Sequence, residues 1–286
     1  MTPRLPALAV TGSTGVLGGF VARQLAAEGV PQRLLARTPA RAPDLPDAPV
    51  VSFDYGDRTG CETALSGVET LFLVSGSESR DRITQHRTVV DAAAAAGVRQ
   101  IVYTSFVRAT PDATFTLARD HFATEEHIRA SGVGYTFLRD NLYLDFVPSI
   151  VGEDGVIRGP ADDGRAAVVA REDIARVAVE VLRDPPAHLG ATYDLTGPQA
   201  LTFSEMAVLL TKGLRRSIAF HDETPAEAYA SREAYGAPGW QVDAWVSTYL
   251  AVAAGDLATV TDDVERLTGK PPMSLAQFLA RETDHR

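Results

Sequence analysis

Short apolar runs alternate with longer stretches of helical periodicity through the first half of the chain. Leu5 to Val10 is mostly apolar, and Val16, Leu17, Phe20, Val21 and Leu25 then recur at helical spacing. Further strand-like runs occupy residues 32–36 (Gln-Arg-Leu-Leu-Ala), 50–55 (Val-Val-Ser-Phe-Asp-Tyr), 70–74 (Thr-Leu-Phe-Leu-Val), 100–104 (Gln-Ile-Val-Tyr-Thr) and 135–139 (Tyr-Thr-Phe-Leu-Arg). Between them the pattern predicts helices. One carries Ile83, Val89, Val90, Ala93 and Ala94 on a single face with Gly97 to stop it, and another runs from about Phe115 to Ala130. Apolar strands joined through helices by short connections predict an α/β fold with a doubly wound parallel sheet.

Past residue 140 the rhythm changes. Leu142, Phe146, Val147 and Ile150 predict a short amphipathic helix, and the Gly- and Asp-rich residues 152–164 a loop. Residues 165–182 read as a short strand and then a helix beginning near Arg171-Glu172-Asp173, and residues 191–195 as a strand at the far edge of the main sheet. From Thr202 onward helices dominate, with Tyr229, Tyr235, Trp240, Trp245 and Tyr249 concentrated there, most of them expected as core filling. The expected organisation is a nucleotide-binding domain over residues 1–140, with 165–196 returning to its sheet. A smaller, mainly helical substrate domain is expected from 141–164 and 197–286.

The join between the first strand and the first helix reads Gly12-Ser13-Thr14-Gly15-Val16-Leu17-Gly18. Strand, glycine turn, helix is the opening of a Rossmann unit: Gly12 permits the tight turn, Gly15 lets a pyrophosphate approach the backbone, and Gly18 lets the helix pack close to the strand. Main-chain N–H groups and the positive helix end then hold the phosphates. At the end of the second strand an acidic residue would bind a free ribose 2′-hydroxyl and an arginine a 2′-phosphate. This chain has Arg37 there, which favours NADP(H) over NAD(H); Arg41 nearby is a candidate for a plain solvated residue. Asp54 and Tyr55 end the third strand, either as partners of the adenine or as caps of the next helix. Val74, Ser75 and Gly76 close the fourth, where small residues let the ribose pass near the backbone.

Composition narrows the partners. The 286 residues are 45% apolar and carry a net charge of −10, with a pI near 5.1, which argues against nucleic acid or another polyanion. Cys61 is the sole cysteine, so no intramolecular disulfide or thiolate metal cluster is available, and no metal site is expected. The longest apolar stretch, 242–257, is broken by Asp243 and Asp256, so no membrane association is expected. The N-terminus lacks the pattern of a secretory signal, and the expected address is the cytoplasm.

Lys212 and Lys270 are the only lysines, and Val208 and Arg266 stand four residues before them. A Tyr-x-x-x-Lys pair, in which lysine tunes tyrosine as acid or base, is therefore excluded. The helix after the fifth strand offers His121 and Glu125 at i and i+4, either a proton donor with its orienting carboxylate or a helix-surface histidine beside a salt-bridging neighbour. An isolated ketone needs an acid to quench its alkoxide, whereas a quinone or conjugated cation spreads the incoming charge. The missing pair thus favours small conjugated acceptors, with Phe106, Tyr143 and Phe146 as candidates for stacking a planar substrate.

Several local sequences carry a wider likeness: Val10 to Gly18, Asp54-Tyr55-Gly56-Asp57, Gln85-His86, Ala95-Ala96-Gly97-Val98, Tyr103-Thr104-Ser105, His121 with Thr124-Glu125, Tyr135 to Arg139, and Thr261-Asp262-Asp263-Val264 with Leu267-Thr268-Gly269. In order, over nearly the whole chain, they resemble the NmrA-like branch of the atypical short-chain dehydrogenases, within it the type 2 NADPH-dependent quinone oxidoreductases and the triphenylmethane reductases. The resemblance implies an NADPH-dependent reductase with a substrate cleft between a nucleotide domain and a small C-terminal domain. Carried over by position, it assigns Gly12, Ser13, Thr14, Gly15, Val16 and Leu17 to the pyrophosphate, Arg37 to the 2′-phosphate and Ser75 with Gly76 to the ribose side. Thr104, Arg139, Asp140, Asn141 and Tyr143 fall on the nicotinamide side, and Arg171 lies near the cleft. His121 and Tyr143 are the candidate catalytic residues.

Two positions depart from the family pattern: Asp140 stands where relatives commonly have Asn, and Glu126 where the quinone reductases tend to have Lys, which removes any proton relay through that lysine. The rival expectation is a non-catalytic NADP(H)-sensing regulator, since NmrA-like proteins include such members; an epimerase or dehydratase is weakened by the missing Tyr-Lys pair. A monomer or homodimer is expected.

Overall fold

In a computed structural model that describes residues 5–284, the elements follow the predicted beat. The chain runs β1 (Leu8–Thr11), α1 (Val16–Ala27), β2 (Arg33–Ala36), β3 (Val50–Ser52), α2 (Arg58–Leu65), β4 (Thr70–Leu73), α3 (Arg82–Ala95), β5 (Gln100–Phe106), α4 (Thr116–Ser131) and β6 (Gly134–Asp140). It continues with β7 (Val156–Gly159), α5 (Arg171–Arg183), β8 (Thr192–Leu195), α6 (Phe203–Leu214), β9 (Ala219–Asp222), α7 (Pro225–Arg232), α8 (Gly239–Ala253), α9 (Asp263–Thr268) and α10 (Leu275–Asp284). Seven strands form one sheet in the order β3-β2-β1-β4-β5-β6-β8. β1 lies parallel to β2 and β4, β2 to β3, and β4 to β5. The order reverses between β1 and β4, which is the switch point at which open α/β sheets bind ligands. β8 takes the far edge, as expected of the strand read at 191–195.

Three expectations are corrected. Residues 152–164 are not all loop: β7 lies within them and pairs in parallel with β9, Val156 opposite Ala219 through Gly159 opposite Asp222. Four residues with one large buried side chain, Ile157, carry too little periodicity to stand out from a Gly- and Asp-rich surround. Residues 165–170 form no strand but only isolated bridges, Ala166 with Leu201 and Val169 with Tyr143. The aromatic cluster is divided: Tyr249 packs on Phe203 with ring centroids 5.0 Å apart, whereas Tyr229 and Tyr235 are exposed. Among the described residues no helix is long and apolar enough to cross a membrane.

The chain folds into two compact units. One holds the chain up to Ser105, Asp120–Arg139 and Ile174–Tyr193, around a core that includes Leu35, Leu71, Val89, Ile101 and Phe137. The other holds Phe106–Arg119, Asp140–Asp173 and the chain from Asp194 onward, around Leu144, Ile157, Phe203, Leu210 and Val252.

Where β1 meets α1, Gly12 has φ +64°, a left-handed conformation that suits glycine. A Cβ on Gly18 would lie 2.4 Å from the Gly12 carbonyl oxygen and 2.7 Å from that of Thr11, both immobile backbone. Gly19, one residue on, would meet chiefly the movable tip of Arg23, at 3.2 Å. Gly18→Ala is therefore expected to destabilise the protein by about 2 kcal/mol or more, as overpacking does, and Gly19→Ala to change stability by less than about 1 kcal/mol. Urea unfolding of the two variants checks the contrast.

Candidate functional site

The turn between β1 and α1 is built as an anion cradle. Gly15 is the N-cap of α1 in extended conformation with no side chain capping the helix, and the first turn carries no acidic residue. Its first N–H groups and the positive helix end are thus left for a ligand. Thr14, Gly15 and Val16 are exposed, while Ser13 is only 2% exposed and its buried Oγ has no hydrogen-bond partner among the described residues. A Cβ on Gly15 would meet nothing closer than the Gly12 carbonyl, at 3.3 Å. That contact is tight and lies against backbone, and the far side of Gly15 is open. An orphaned hydroxyl beside open main-chain donors fits the phosphates of a dinucleotide.

Around this turn the strand ends are braced by polar contacts. Arg37 stands exposed just past β2, with no ion pair among the described residues, and Arg41 is exposed on the following turn. Asp54 accepts from the Gly56 N–H at 2.9 Å, and α2 is capped by Asp57, not by Asp54 or Tyr55. The Tyr55 hydroxyl donates to the Val74 carbonyl at 2.7 Å and lies 2.8 Å from Thr11 Oγ1, so it ties the ends of β1 and β4 together. Burial raises its pKa. Thr104 acts from beneath: buried, its hydroxyl accepts from the Ser75 N–H at 2.8 Å.

The Gly76 peptide is clamped on both sides. Its N–H donates to His86 Nε2 at 2.8 Å, and its carbonyl accepts from Arg82 Nε at 2.9 Å. Arg82 continues to Asp120 at 3.3 Å and to His121 Nε2 at 2.9 Å; His121 Nδ1 lies 2.9 Å from the Tyr103 hydroxyl, and His86 Nδ1 lies 2.8 Å from Thr124 Oγ1. An amide N–H and a guanidinium only donate, so both imidazoles accept at Nε2 and are neutral with the proton on Nδ1. Burial and the Arg82 charge push His86 down to about 3 and His121 well below its ordinary value.

Two expectations change here. His121 is buried and neutral, and its contacts place it behind Arg82 in the network that holds Gly76, so it carries no imidazolium proton near neutral pH. Nor does Glu125 orient it. Glu125 is fully buried and accepts from Ser105 Oγ (2.6 Å), Arg139 Nε and Nη2 (2.8 and 2.7 Å) and Arg129 Nη2 (3.2 Å), which takes up its lone pairs. The i,i+4 spacing that pairs Glu125 with His121 also pairs it with Arg129, and a guanidinium offers a full charge where the imidazole has none. Arg139 is correspondingly held by a bidentate ion pair.

In the second unit, Asp140 is 1% exposed. The Tyr143 hydroxyl donates to its Oδ2 at 3.0 Å, and its buried Oδ1 has no hydrogen-bond partner among the described residues. Burial raises its pKa well above its ordinary value, against the Tyr143 hydrogen bond, which lowers it. Asn141 is spent on structure, Nδ2 donating to the Leu257 carbonyl at 3.1 Å and Oδ1 accepting from the Leu142 N–H at 2.7 Å. The Tyr143 and Phe146 rings lie 21° from parallel with centroids 6.3 Å apart, and the Arg171 guanidinium sits 5.6 and 5.2 Å from them. Asp145 anchors Arg171 through its N–H (2.9 Å) and Nε (3.5 Å). Phe146 is 53% exposed, a surface on which a planar molecule can rest. Phe106 is not: β5 runs two residues longer than predicted, and the ring is buried against Phe115 at 4.9 Å.

A family model described as NAD(P)H-binding matches residues 12–185. The chain belongs to that family. Among its relatives, this NAD(P)H-binding protein is 34% identical over 281 residues to quinone oxidoreductase 2 of Escherichia coli K12, covering 96% of this chain and 97% of the relative. The crystal structure of that relative's NADPH complex matches with a TM-score of 0.88 at 33% identity, covering 96% of this chain and 99% of that one. The (4-alkanoyl-5-oxo-2,5-dihydrofuran-3-yl)methyl phosphate reductase of Streptomyces griseus subsp. griseus is also 34% identical over 281 residues, 96% and 97% of the two chains. Citrobacter sp. triphenylmethane reductase complexed with NADP(H) matches with a TM-score of 0.85 at 31% identity, over 96% and 99%. The NmrA-like resemblance and the α/β fold read from the sequence are borne out.

His86 and Arg82 had no place among the expected site residues. The signal was there: they lie four apart on the buried face of α3, an unusual site for two polar side chains without a partner waiting. Their burial makes a pH prediction. Between pH 6.5 and about 3 the unfolded chain binds a proton that folded His86 refuses, so stability is full above 6.5 and falls as pH drops through that window. Urea midpoints measured from pH 7 to 4 should decline, and less steeply in His86→Gln, whose amide can serve both hydrogen bonds without titrating.

Proposed function

We propose that the protein is an NADPH-dependent reductase that passes a hydride to a quinone or a similar conjugated acceptor. The coarser activity, NAD(P)H-dependent oxidoreduction, belongs to this chain with its full-length relatives. The observation that carries the reading is the cradle at β1–α1: open main-chain donors, an uncapped helix and the orphaned Ser13 hydroxyl. NADPH would supply the hydride, held by Gly12 to Leu17 at the pyrophosphate and by Arg37 at the 2′-phosphate, a reading the family pattern supports.

The chain's own residues do the positioning. Thr104 and His86 fix the Ser75-Gly76 backbone from behind, which keeps its outward face constant for the ribose side. Tyr143, Phe146 and Arg171 offer an aromatic face with an adjacent cation to a planar, electron-poor acceptor. No Tyr-x-x-x-Lys pair exists to quench an alkoxide, which supports acceptors that delocalise charge. Relatives described as acting on a quinone, triphenylmethane dyes and an oxo-dihydrofuran support the same class. Orientation of acceptor against donor supplies the rate.

Arg37→Ala should weaken NADPH binding by about 10- to 100-fold, the loss of one or two charge-assisted hydrogen bonds, and NADH binding far less; calorimetry with each cofactor checks this. Oxidation of NADPH by a panel of quinones and cationic dyes should be saturable. Tight NADPH binding with no turnover on any acceptor would replace this reading with that of a non-catalytic NADP(H) sensor.

A further inference from the structure

Asp140 ends β6, at the carboxyl edge of the sheet where ligands of open α/β folds gather. A carboxylate buried to this degree is costly unless a cation or several donors meet it. Asp140 meets neither: Oδ1 is buried without a partner and Oδ2 has the Tyr143 hydroxyl. The side chain is therefore a neutral acid, in keeping with the direction of its pKa. In the structure the Tyr143 hydroxyl donates to Oδ2 at 3.0 Å. When a bound oxygen draws that hydrogen away, the acid proton finds its hydrogen-bonding position on Oδ2, facing Tyr143 Oη, since Oδ1 has no partner among the described residues. The Arg171 guanidinium, 5.6 Å from the Tyr143 ring centroid, lowers the cost of negative charge on that ring while a proton is in transit.

We propose that Asp140 is the proton store for the reduction, acting through Tyr143. The inference rests on the reductase reading above. A hydride brings two electrons and one proton to a quinone and leaves one oxygen anionic. Tyr143 Oη–H gives that oxygen its proton, the Asp140 carboxyl replaces it, and the carboxylate is reprotonated from solvent before the next turnover. The sum is acceptor, NADPH and one proton in, hydroquinone and NADP+ out. Tyr143 touches the substrate in this scheme, and Asp140 is a positioning and supplying residue behind it.

The test exploits an acceptor that needs no proton. A cationic triphenylmethane dye such as crystal violet becomes a neutral product on accepting a hydride, whereas a benzoquinone requires the extra proton. In Asp140→Asn the ratio of quinone to dye kcat should fall about tenfold or more, within the range of general-acid contributions, whatever loss the two acceptors share. Tyr143→Phe should shift the ratio the same way while sparing the carboxyl. Independently of turnover, infrared spectra of the wild type at pH 7 should show a neutral carboxylic acid C=O stretch that disappears in Asp140→Asn. Wild-type turnover of both acceptors with an unchanged ratio in the variants, or no such band in the wild type, overturns the relay alone. Wild-type turnover of neither acceptor overturns the reductase reading and the relay with it.

Discussion

The close approach of α1 to the carbonyl of Gly12 is the constraint on which the nucleotide cradle depends. With no side chain at Gly18, the helix begins directly over the end of β1, and its unpaired N–H groups come to rest at the sheet's switch point. A side chain there would push the helix away from the strand end and carry the donors with it. Every other candidate contact to a dinucleotide takes its place relative to that start. The strand ends are joined to it by Thr11 and Tyr55, whose hydroxyls meet the backbone of β4 and its turn.

Behind the turn the protein spends buried polar groups on holding backbone. A sheet end with small residues gains flexibility as well as access, and Ser75-Gly76 would move if left to itself. Thr104, His86 and Arg82 remove that freedom, and they do so from the interior, where low dielectric makes each hydrogen bond strong and each missing one costly. The same environment keeps both histidines neutral. Their role as acceptors follows from burial, so chemistry that would need a protonated imidazole is assigned elsewhere.

Asp140 shows the opposite use of burial. Glu125 and Asp140 are both carboxyls removed from water, yet two guanidiniums meet Glu125, while Asp140 has a phenol for company and its pKa is raised by burial. One residue is a bracket for Arg139, the other a store of acidity. Composition treats them alike; the neighbours separate them.

What the chain of residues by itself determined was local or periodic. Apolar runs and helical spacing placed the sheet and its helices, the spacing of Gly12, Gly15 and Gly18 marked the turn from β1 into α1, and Arg37 was read at the end of β2. Those signals need only neighbours in sequence, because strand, turn and helix propensity act over a few residues. Tertiary structure decided the rest: β7 exists because β9, about sixty residues on, pairs with it; Phe106 is core because Phe115 covers it; His121 belongs to Arg82, and Glu125 to Arg139. Each depends on which of several chemically eligible partners arrives within hydrogen-bond reach after folding, and on how much water that arrival excludes, which residue spacing does not encode.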